Sequence, residues 1–211
     1  RFLLHHLVRH SFAKENKILV AFDEMQAGFG RTGKLFGYMH YKVEPDLLCC
    51  GKGASSSLPL SIVLGSKEVM DLPEIGSMSS THSANPIVCA AGKSNLEAIL
   101  TDGLMENSRK LGKLLNSKLQ RIQKKYPNYI SHVMCQGLLA ALHFNTPQRK
   151  PLSAFCSKIC ELAMQRGLLL VHTGRETIKL APPLCINEGA LSEGLSVLDQ
   201  TISDLTDIYK V

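Results

Sequence analysis

An aspartate and a lysine stand directly after two short apolar segments in the first quarter of the chain. Asp23 follows residues 18–22, and Lys52 closely follows a second, mainly apolar run at residues 46–50. Short apolar runs bounded by turn residues are typical of strands that helices cover on both faces. Functional groups of such α/β sheets gather beyond the carboxyl ends of the strands. The pattern therefore predicts that Asp23 and Lys52 lie at the same edge of one sheet.

A carboxylate and an amine at one edge suit a specific chemistry. A lysine among small and apolar groups can lose its proton at a lower pH than a free lysine, and the neutral amine can form a Schiff base. A carboxylate nearby could keep a proton on the ring nitrogen of pyridoxal phosphate, which that cofactor needs in order to act as an electron sink. Asp23 and Lys52 therefore favour a pyridoxal-phosphate site.

The glycine-rich segment between the two residues allows a competing interpretation. Residues 28–33 match the G-x-G-x-x-G fingerprint of dinucleotide-binding folds, in which the glycines directly follow a strand and open a helix. Here residues 23–27 separate the glycines from the apolar run, and Gly37 and Pro45 leave little room for a helix. The context therefore argues against a nucleotide site.

The same region resembles the signature of the class-III aminotransferases, the ornithine, acetylornithine and 4-aminobutyrate group of pyridoxal-phosphate enzymes. The offset between Asp23 and Lys52 is the one this family shows. The other matching segments, which extend over nearly the whole chain, are residues 22–36 (FDEMQAGFGRTGKLF), 44–46 (EPD), 51–53 (GKG), 58–60 (LPL), 80–86 (STHSANP) and 181–184 (APPL). The resemblance implies the type I fold of pyridoxal-phosphate-dependent transferases, with a three-layer αβα large domain and a small C-terminal α+β domain.

The resemblance begins midway through the family pattern. The chain starts at Arg1 rather than at a methionine, and the family's upstream phosphate loop, ring-stacking aromatic residue and opening strands are not in it. We therefore expect a piece of a longer protein. Residues 1–111 would form the second half of a truncated large domain, and residues 112–211 would form the small domain.

The resemblance also implies roles for individual side chains. Lys52 would be the catalytic lysine that forms the Schiff base and moves the proton. Asp23 would bind the pyridinium nitrogen of the cofactor, and Gln26 would bind its phenolic oxygen. Thr81 would bind the cofactor phosphate of the opposite subunit in a homodimer; its alternative is a local turn or helix-cap hydroxyl.

Three departures from the family pattern limit this transfer. Members that act on α-carboxylates often carry an arginine where Lys179 stands, and an ammonium group cannot reproduce the planar bidentate contact of a guanidinium. We therefore expect Lys179 to bind a substrate with a different anionic group, or the protein to be a lyase-type variant. A solvated strand residue is the open alternative for Lys179. Residues 55–57 and 83–84 stand where many members have glycines.

The expected function is pyridoxal-phosphate-dependent transamination between a small-molecule amine and a keto acid or aldehyde. Two alternatives stay open: a pyridoxal-phosphate-dependent lyase, and a catalytically incomplete fragment that retains only dimerisation. Supporting roles in the glycine loop are expected for Glu24 and Arg31, because an acidic and a basic group in one turn often pair structurally.

Composition argues against several other classes. The net charge of +6 is dispersed, and aromatic residues make up 6% of the chain with no Trp, unlike a nucleic-acid interface. No apolar run approaches the length of a membrane span. The seven cysteines lack zinc-type pairs, so no metal site is expected, and reduced thiols indicate an intracellular compartment, cytoplasmic or mitochondrial.

Periodicity and turn residues predict the remaining elements. The predicted helices are residues 2–12, 66–72, 86–100, 104–125, 153–165 and, after a cap at Asn187, up to about residue 208; the predicted strands are residues 18–22, 46–50, 60–64, 130–135, 138–144, 168–171 and 177–180.

Overall fold

The structure, a computed structural model, describes residues 10–41, 43–174 and 176–210. The chain divides between Met105 and Glu106 into two compact units, the first unit and the second unit. The domain boundary expected at residues 111 and 112 lies in the helix that crosses this division, and the domain assignment stays a prediction. The predicted helix at residues 2–12 lies mostly outside the described residues, although residues 10–15 are helical.

The first unit contains a three-stranded sheet in the order β1–β2–β3, in which β1 and β2 are parallel and β3 is antiparallel to β2. Its elements are β1 (Ala21–Asp23), a 3-10 helix (Gly37–His40), β2 (Leu47–Cys50), a 3-10 helix (Lys52–Ala54), β3 (Ile62–Gly65), α1 (Lys67–Met70) and α2 (Pro86–Thr101).

Strand β1 begins later than the sequence predicts. The ladder starts at Ala21. The Val20 N–H donates to the Asp46 carboxylate at 2.7 Å, and the Val20 carbonyl accepts from the N–H groups of Asp46, at 2.9 Å, and Leu47, at 3.2 Å. The apolar segments are also less buried than predicted, since Ile18, which precedes β1, is 53% exposed and Val63 of β3 is 45% exposed. The first unit therefore presents apolar sheet surface to its surroundings.

The second unit is an α+β unit with a four-stranded antiparallel sheet in the order β4–β5–β7–β6. Its elements are α3 (Leu104–Lys125), whose first two residues precede the division, β4 (Ile130–Gln136), β5 (Leu139–Phe144), α4 (Ser153–Gln165), β6 (Val171–Thr173), β7 (Thr177–Leu180) and α5 (Glu188–Ile208). Asn187 caps α5, as predicted, by accepting from the N–H of Ala190.

The helices and the sheet of the second unit share one apolar core. Its fully buried side chains come from every helix and from three of the four strands, and include Leu115, Leu119, Ile130, Leu142, Phe144, Ile159, Ile178, Leu198 and Ile202. Burying a side chain of this kind contributes about 1.5–3 kcal/mol. The second unit therefore has the core of an independently packed α+β fold.

Gly112 of α3 gives a test of this packing. A Cβ at this position would lie 2.5 Å from the backbone oxygen of Gly137, in the β4–β5 turn. We expect Gly112→Ala to lower the free energy of unfolding by about 1–3 kcal/mol in urea titrations, because the hairpin must shift. Gly194→Ala in α5 is the control: its Cβ meets only the end of the Leu168 side chain, at 3.2 Å. Equal losses in the two variants would contradict this account.

The cysteines of the chain are free thiols. All seven cysteines lie in the described ranges and none forms a disulfide. Burial raises the pKa of the Cys156 thiol to about 12 and that of Cys135 to about 11, so both are neutral at pH 7.

Across the described ranges, no group of three or more His, Cys, Asp or Glu residues could hold a metal ion. None of the helices traced there has the length and apolar character needed to span a membrane.

Candidate active site

Asp23 and Lys52 lie at the ends of two neighbouring parallel strands. Asp23 is the last residue of β1 and lies opposite Cys49 of β2, and Lys52 begins the 3-10 helix just beyond β2. Because the strands are parallel, their carboxyl ends share one edge of the sheet. The backbone therefore places Asp23 and Lys52 at that edge, and both residues are exposed.

The turn after β1 orients the Asp23 carboxylate. Its Oδ1 atom accepts a hydrogen bond from the N–H of Met25 at 2.9 Å, as in turns that an aspartate initiates. Gln26 lies in the same turn and is also exposed. The turn therefore carries an exposed carboxylate, Asp23, and an exposed side-chain amide, Gln26, three residues apart.

Lys52 has an unusual backbone conformation. Its φ angle is +42°, in the left-handed region that few residues other than glycine adopt. Such a conformation costs about 1–3 kcal/mol and persists only when surrounding contacts hold it. The segment that contains it, residues 51–57, is called the lysine turn below.

The lysine turn is held from the side of the first turn. A Cβ at Gly51 would lie 2.5 Å from the Met25 sulfur, so the Met25 side chain lies directly over Gly51. The buried Phe29 lies against Gly53, where a Cβ would be 3.4 Å from the Phe29 Cβ. The turns that carry Asp23 and Lys52 are therefore packed on each other.

Helix α2 holds the lysine turn from another direction. The Asn95 side-chain amide donates to the carbonyls of Gly53, at 2.7 Å, and Ala54, at 3.1 Å. Gly92, one turn earlier, packs closely on Leu60, because a Cβ there would lie 2.6 Å from the Leu60 side chain. Sequence reasoning missed Asn95, although a polar residue within an apolar helix face indicates a specific partner.

An open hollow of about 560 Å³ adjoins Lys52. Its lining consists of Lys52 and residues 56–61, so it presents the lysine amine, serine hydroxyls and the Leu-Pro-Leu segment. Asp23, Gln26 and Thr81 are not part of the lining that the described residues form. The structure thus gives Lys52 an accessible space and leaves Asp23 beside it at the sheet edge.

Glu24 supports the glycine loop. It is 2% exposed, and its two carboxylate oxygens accept from the N–H groups of Gly37, at 2.8 Å, and Tyr38, at 2.7 Å. The loop therefore ends in a short 3-10 helix rather than the long helix of a dinucleotide site. The rejection of the nucleotide interpretation agrees with this geometry.

Burial controls the ionisable groups beside the loop. It lowers the pKa of the Arg31 guanidinium from its ordinary value. The pKa of His40 is lowered by burial and then by the positive charge of Lys34, so His40 is neutral at pH 7. Burial, followed by the charge of Glu24, raises the pKa of the Cys50 thiol. The Cys50 thiol therefore stays protonated at neutral pH.

Thr81 and Lys179 occupy separate parts of the chain. Thr81 is exposed in a turn at residues 81–84, and the cap of α2 is Asn85, which accepts from the N–H groups of Ile87 and Val88. Lys179 is partly buried on β7 of the second unit, between β5 and β6. It also lines an otherwise mainly apolar hollow of about 260 Å³ in that unit.

Comparison with known proteins decides the family. Residues 6–202 match the family Aminotransferase class-III. The chain belongs to the class-III aminotransferases. It is 36% identical over 191 residues to acetylornithine aminotransferase of Synechocystis sp., a match that covers 90% of the chain and 43% of that protein. It is 34% identical over 206 residues to mitochondrial ornithine aminotransferase of Arabidopsis thaliana, with 97% and 43% covered.

Solved structures of aminotransferases superpose on the chain. Acetylornithine aminotransferase from Elizabethkingia anophelis matches with a TM-score of 0.84 and 34% identity, over 92% of the chain and 48% of that structure. A transaminase from the marine bacterium Virgibacillus matches with a TM-score of 0.89 and 27% identity, over 97% and 49%. The predicted type I fold and class-III family are confirmed. The chain spans about half the length of these relatives.

Two residues that replace glycines of the class-III pattern have a left-handed backbone. Ala84 has a φ angle of +54°, a conformation that glycine adopts without strain. Ser56, in the lysine turn, has a φ angle of +68°. Two of the positions where many class-III members have glycine therefore keep a left-handed backbone here with other residues.

Substitution of Glu24 tests the support of the glycine loop. We expect Glu24→Gln to lower the free energy of unfolding by about 1.5–3 kcal/mol. A glutamine has only one acceptor oxygen, so it can accept from only one of the two backbone N–H groups that Glu24 binds, and it carries no charge. Glu44→Gln, at an exposed position, is the matched control. Chemical denaturation followed by circular dichroism measures both. Loss in the control variant alone, or in neither, would refute the role of Glu24.

Proposed function

We propose that the protein containing this chain is a pyridoxal-phosphate-dependent aminotransferase that uses Lys52 as its catalytic lysine. The observation that carries the proposal is the position of Asp23 and Lys52 beyond the ends of two adjacent parallel strands, in a class-III chain. The groups present fit the cofactor by their chemistry, since Lys52 supplies an amine, Asp23 a carboxylate and Gln26 an amide. When bound, pyridoxal phosphate supplies an electron sink for the substrate carbon.

Each side chain has a defined task in this proposal. Lys52 would hold the cofactor through its amine, at the aldehyde carbon, and would move the proton of the substrate Cα once the substrate amine has taken its place. Asp23 holds a proton at the ring nitrogen through a charge-assisted hydrogen bond. Gln26 donates to the phenolic oxygen. The packed turns and the left-handed backbone of Lys52 keep the amine at the hollow.

Thr81 would complete the phosphate site of a second subunit in a homodimer. The segment around it supports a contact with another copy, because large apolar side chains there are strongly exposed: Leu72, Ile75, Met78 and Ile87 are each at least 70% exposed. Large exposed apolar side chains support an interaction site where they adjoin one another. In a two-fold dimer both copies use the same surface, so each would contribute Thr81 to its partner.

The amino donor would carry an anionic group that Lys179 binds. Relatives are named for acetylornithine, ornithine, 4-aminobutyrate and 2-aminoadipate. The single ammonium of Lys179 matches a carboxylate as a point charge but not as a bidentate partner. We therefore propose a donor amine whose anionic group is not an α-carboxylate.

Lys179→Arg tests this assignment of substrate class. We expect kcat/KM for α-amino acid donors to rise about tenfold relative to amine donors without a carboxylate, because a guanidinium can form two parallel bonds to a carboxylate. Lys113→Arg, at an exposed position of α3, is the control. Steady-state rates with paired donors measure the ratio. An unchanged ratio would place Lys179 outside substrate recognition.

Isotope transfer tests the proposed reaction. The protein is incubated with pyridoxal phosphate, a ¹⁵N-labelled amine donor and a panel of α-keto acids, and amino acid products are analysed by mass spectrometry. An aminotransferase moves ¹⁵N onto the keto acid. Release of ¹⁵N as ammonia would instead identify a lyase. Neither product, together with a dimer in solution, would identify a catalytically incomplete chain.

A further inference from the structure

We infer that Asn95 of α2 is a positioning residue that fixes the backbone of the lysine turn and thereby the direction of the Lys52 side chain. The inference rests on the proposed function only in taking Lys52 as the residue that binds the cofactor. Its physical basis is the pair of hydrogen bonds from the Asn95 amide and the strained backbone they adjoin.

The two bonds of Asn95 reach the residues that directly follow Lys52. Nδ2 donates to the Gly53 carbonyl at 2.7 Å and to the Ala54 carbonyl at 3.1 Å. A primary amide carries two N–H donors, so each carbonyl can receive its own hydrogen. Both acceptors belong to a single-turn 3-10 helix, whose final carbonyls have no partner within the helix. Asn95 therefore caps this turn from outside.

The capped turn is the one that contains strain. Lys52, with its φ angle of +42°, is the first residue of the 3-10 helix, so the two capped carbonyls lie one and two residues beyond it. Without the cap, rotation at residues 52 and 53 could return Lys52 to an ordinary backbone conformation. The Cα–Cβ bond of Lys52 would then point in a different direction, and its amine would leave the hollow.

Close packing keeps helix α2 near enough to the lysine turn for Asn95 to form its two hydrogen bonds. Gly92 lies one helical turn before Asn95 on the same face, and its packing against Leu60 allows no Cβ without a shift. Ile99, one turn after Asn95, is 3% exposed. Residues 92, 95 and 99 therefore lie on one helix face, with Asn95 as the partly buried polar member between the buried Gly92 and Ile99. A polar side chain at such a position is stabilised only by specific partners.

A second asparagine in the chain provides a matched control. Asn107 of α3 donates through Nδ2 to the carbonyls of Leu184, at 2.6 Å, and Ile186, at 3.0 Å, in the second unit. Its chemistry is that of Asn95: one helical amide bound to two loop carbonyls. The difference is that only the carbonyls bound by Asn95 adjoin Lys52.

The experiment compares Asn95→Asp with Asn107→Asp in the same protein. An aspartate keeps the shape of the side chain but removes both donors. Without cofactor, hydrogen exchange measures opening of residues 52–58. With added pyridoxal phosphate, the visible circular dichroism of the lysine-bound cofactor reports its orientation, and borohydride reduction with peptide mapping reports how much is bound to Lys52.

We expect Asn95→Asp to increase exchange in residues 52–58, to change the visible dichroism and to weaken cofactor affinity at Lys52 about tenfold, as the loss of one or two net hydrogen bonds would. Asn107→Asp should lower the melting temperature and leave all three Lys52 readouts unchanged.

Two outcomes would overturn the inference, and they differ in what they say about the proposed function. If wild-type protein is labelled at Lys52 and Asn95→Asp matches it in dichroism and affinity, the positioning role is wrong and the proposed function stands. If wild-type protein is not labelled at Lys52, both are wrong. If Asn95→Asp and Asn107→Asp lower the melting temperature equally and neither changes the dichroism, the positioning role is likewise wrong and the proposed function stands.

Discussion

Replacing Lys52 with alanine is expected to eliminate transamination, with a fall in rate of at least about 10²- to 10⁴-fold from the loss of the proton-transferring base alone. The variant should also lose the covalent attachment of pyridoxal phosphate, because no other described residue lining the hollow is an amine. The fold should be unaffected, since Lys52 is exposed. The ¹⁵N-transfer assay measures the effect.

Controls for this variant separate chemistry from folding. Lys67→Ala removes another exposed lysine, one that pairs with Asp71 at 2.6 Å, and should retain full activity. Exposed ion pairs of this kind contribute about 0–1 kcal/mol. Addition of a small primary amine to Lys52→Ala should restore part of the proton transfer. Wild-type turnover by Lys52→Ala would remove Lys52 from the mechanism.

Replacing Asp23 with asparagine should have the second-largest effect. The amide can still accept from the N–H of Met25 but cannot stabilise a proton on the pyridine nitrogen. Loss of this charge-assisted bond is worth about 1.5–3 kcal/mol, which corresponds to a roughly 10- to 150-fold fall in kcat. Stopped-flow measurement of the donor half-reaction tests this, because it isolates the step in which the electron sink is needed.

Asp46→Asn is the matched control for Asp23→Asn. The Asp46 carboxylate also accepts a backbone N–H, that of Val20 at 2.7 Å, but it precedes β2 and so lies at the opposite end of the strand from Lys52. This variant should lose stability without a change in the half-reaction rate. If both variants slowed the half-reaction equally, the Asp23 effect would reflect folding of the sheet and not the cofactor.

The sequence predicted the elements whose boundaries depend on local signals. Helices α3 and α4 begin and end at the predicted residues, and α5 starts after the predicted Asn187 cap. Strand β6 is different: residues 168–171 were predicted, but the ladder runs from Val171 to Thr173. Leu168 and Leu170 pack on the core of the second unit instead, and an apolar run alone does not distinguish packing from strand pairing.

The site was predictable in part for the same reason. Asp23 and Lys52 are recognisable because each follows an apolar run, and strand pairing then brings them to one edge. The roles of Glu24 and Asn95 depend on hydrogen bonds to backbone groups far along the chain. Glu24 accepts from the N–H groups of Gly37 and Tyr38. Asn95 donates to the carbonyls of Gly53 and Ala54. No local pattern specifies such partners.

The central claim is that Lys52 binds pyridoxal phosphate covalently and specifically. The most direct measurement is borohydride reduction of the protein after addition of substoichiometric cofactor, followed by digestion and mass spectrometric mapping of every lysine. We expect the phosphopyridoxyl group on Lys52 and only background modification of exposed lysines such as Lys67 and Lys93. Equal modification of the exposed lysines, with none enriched at Lys52, would contradict the claim.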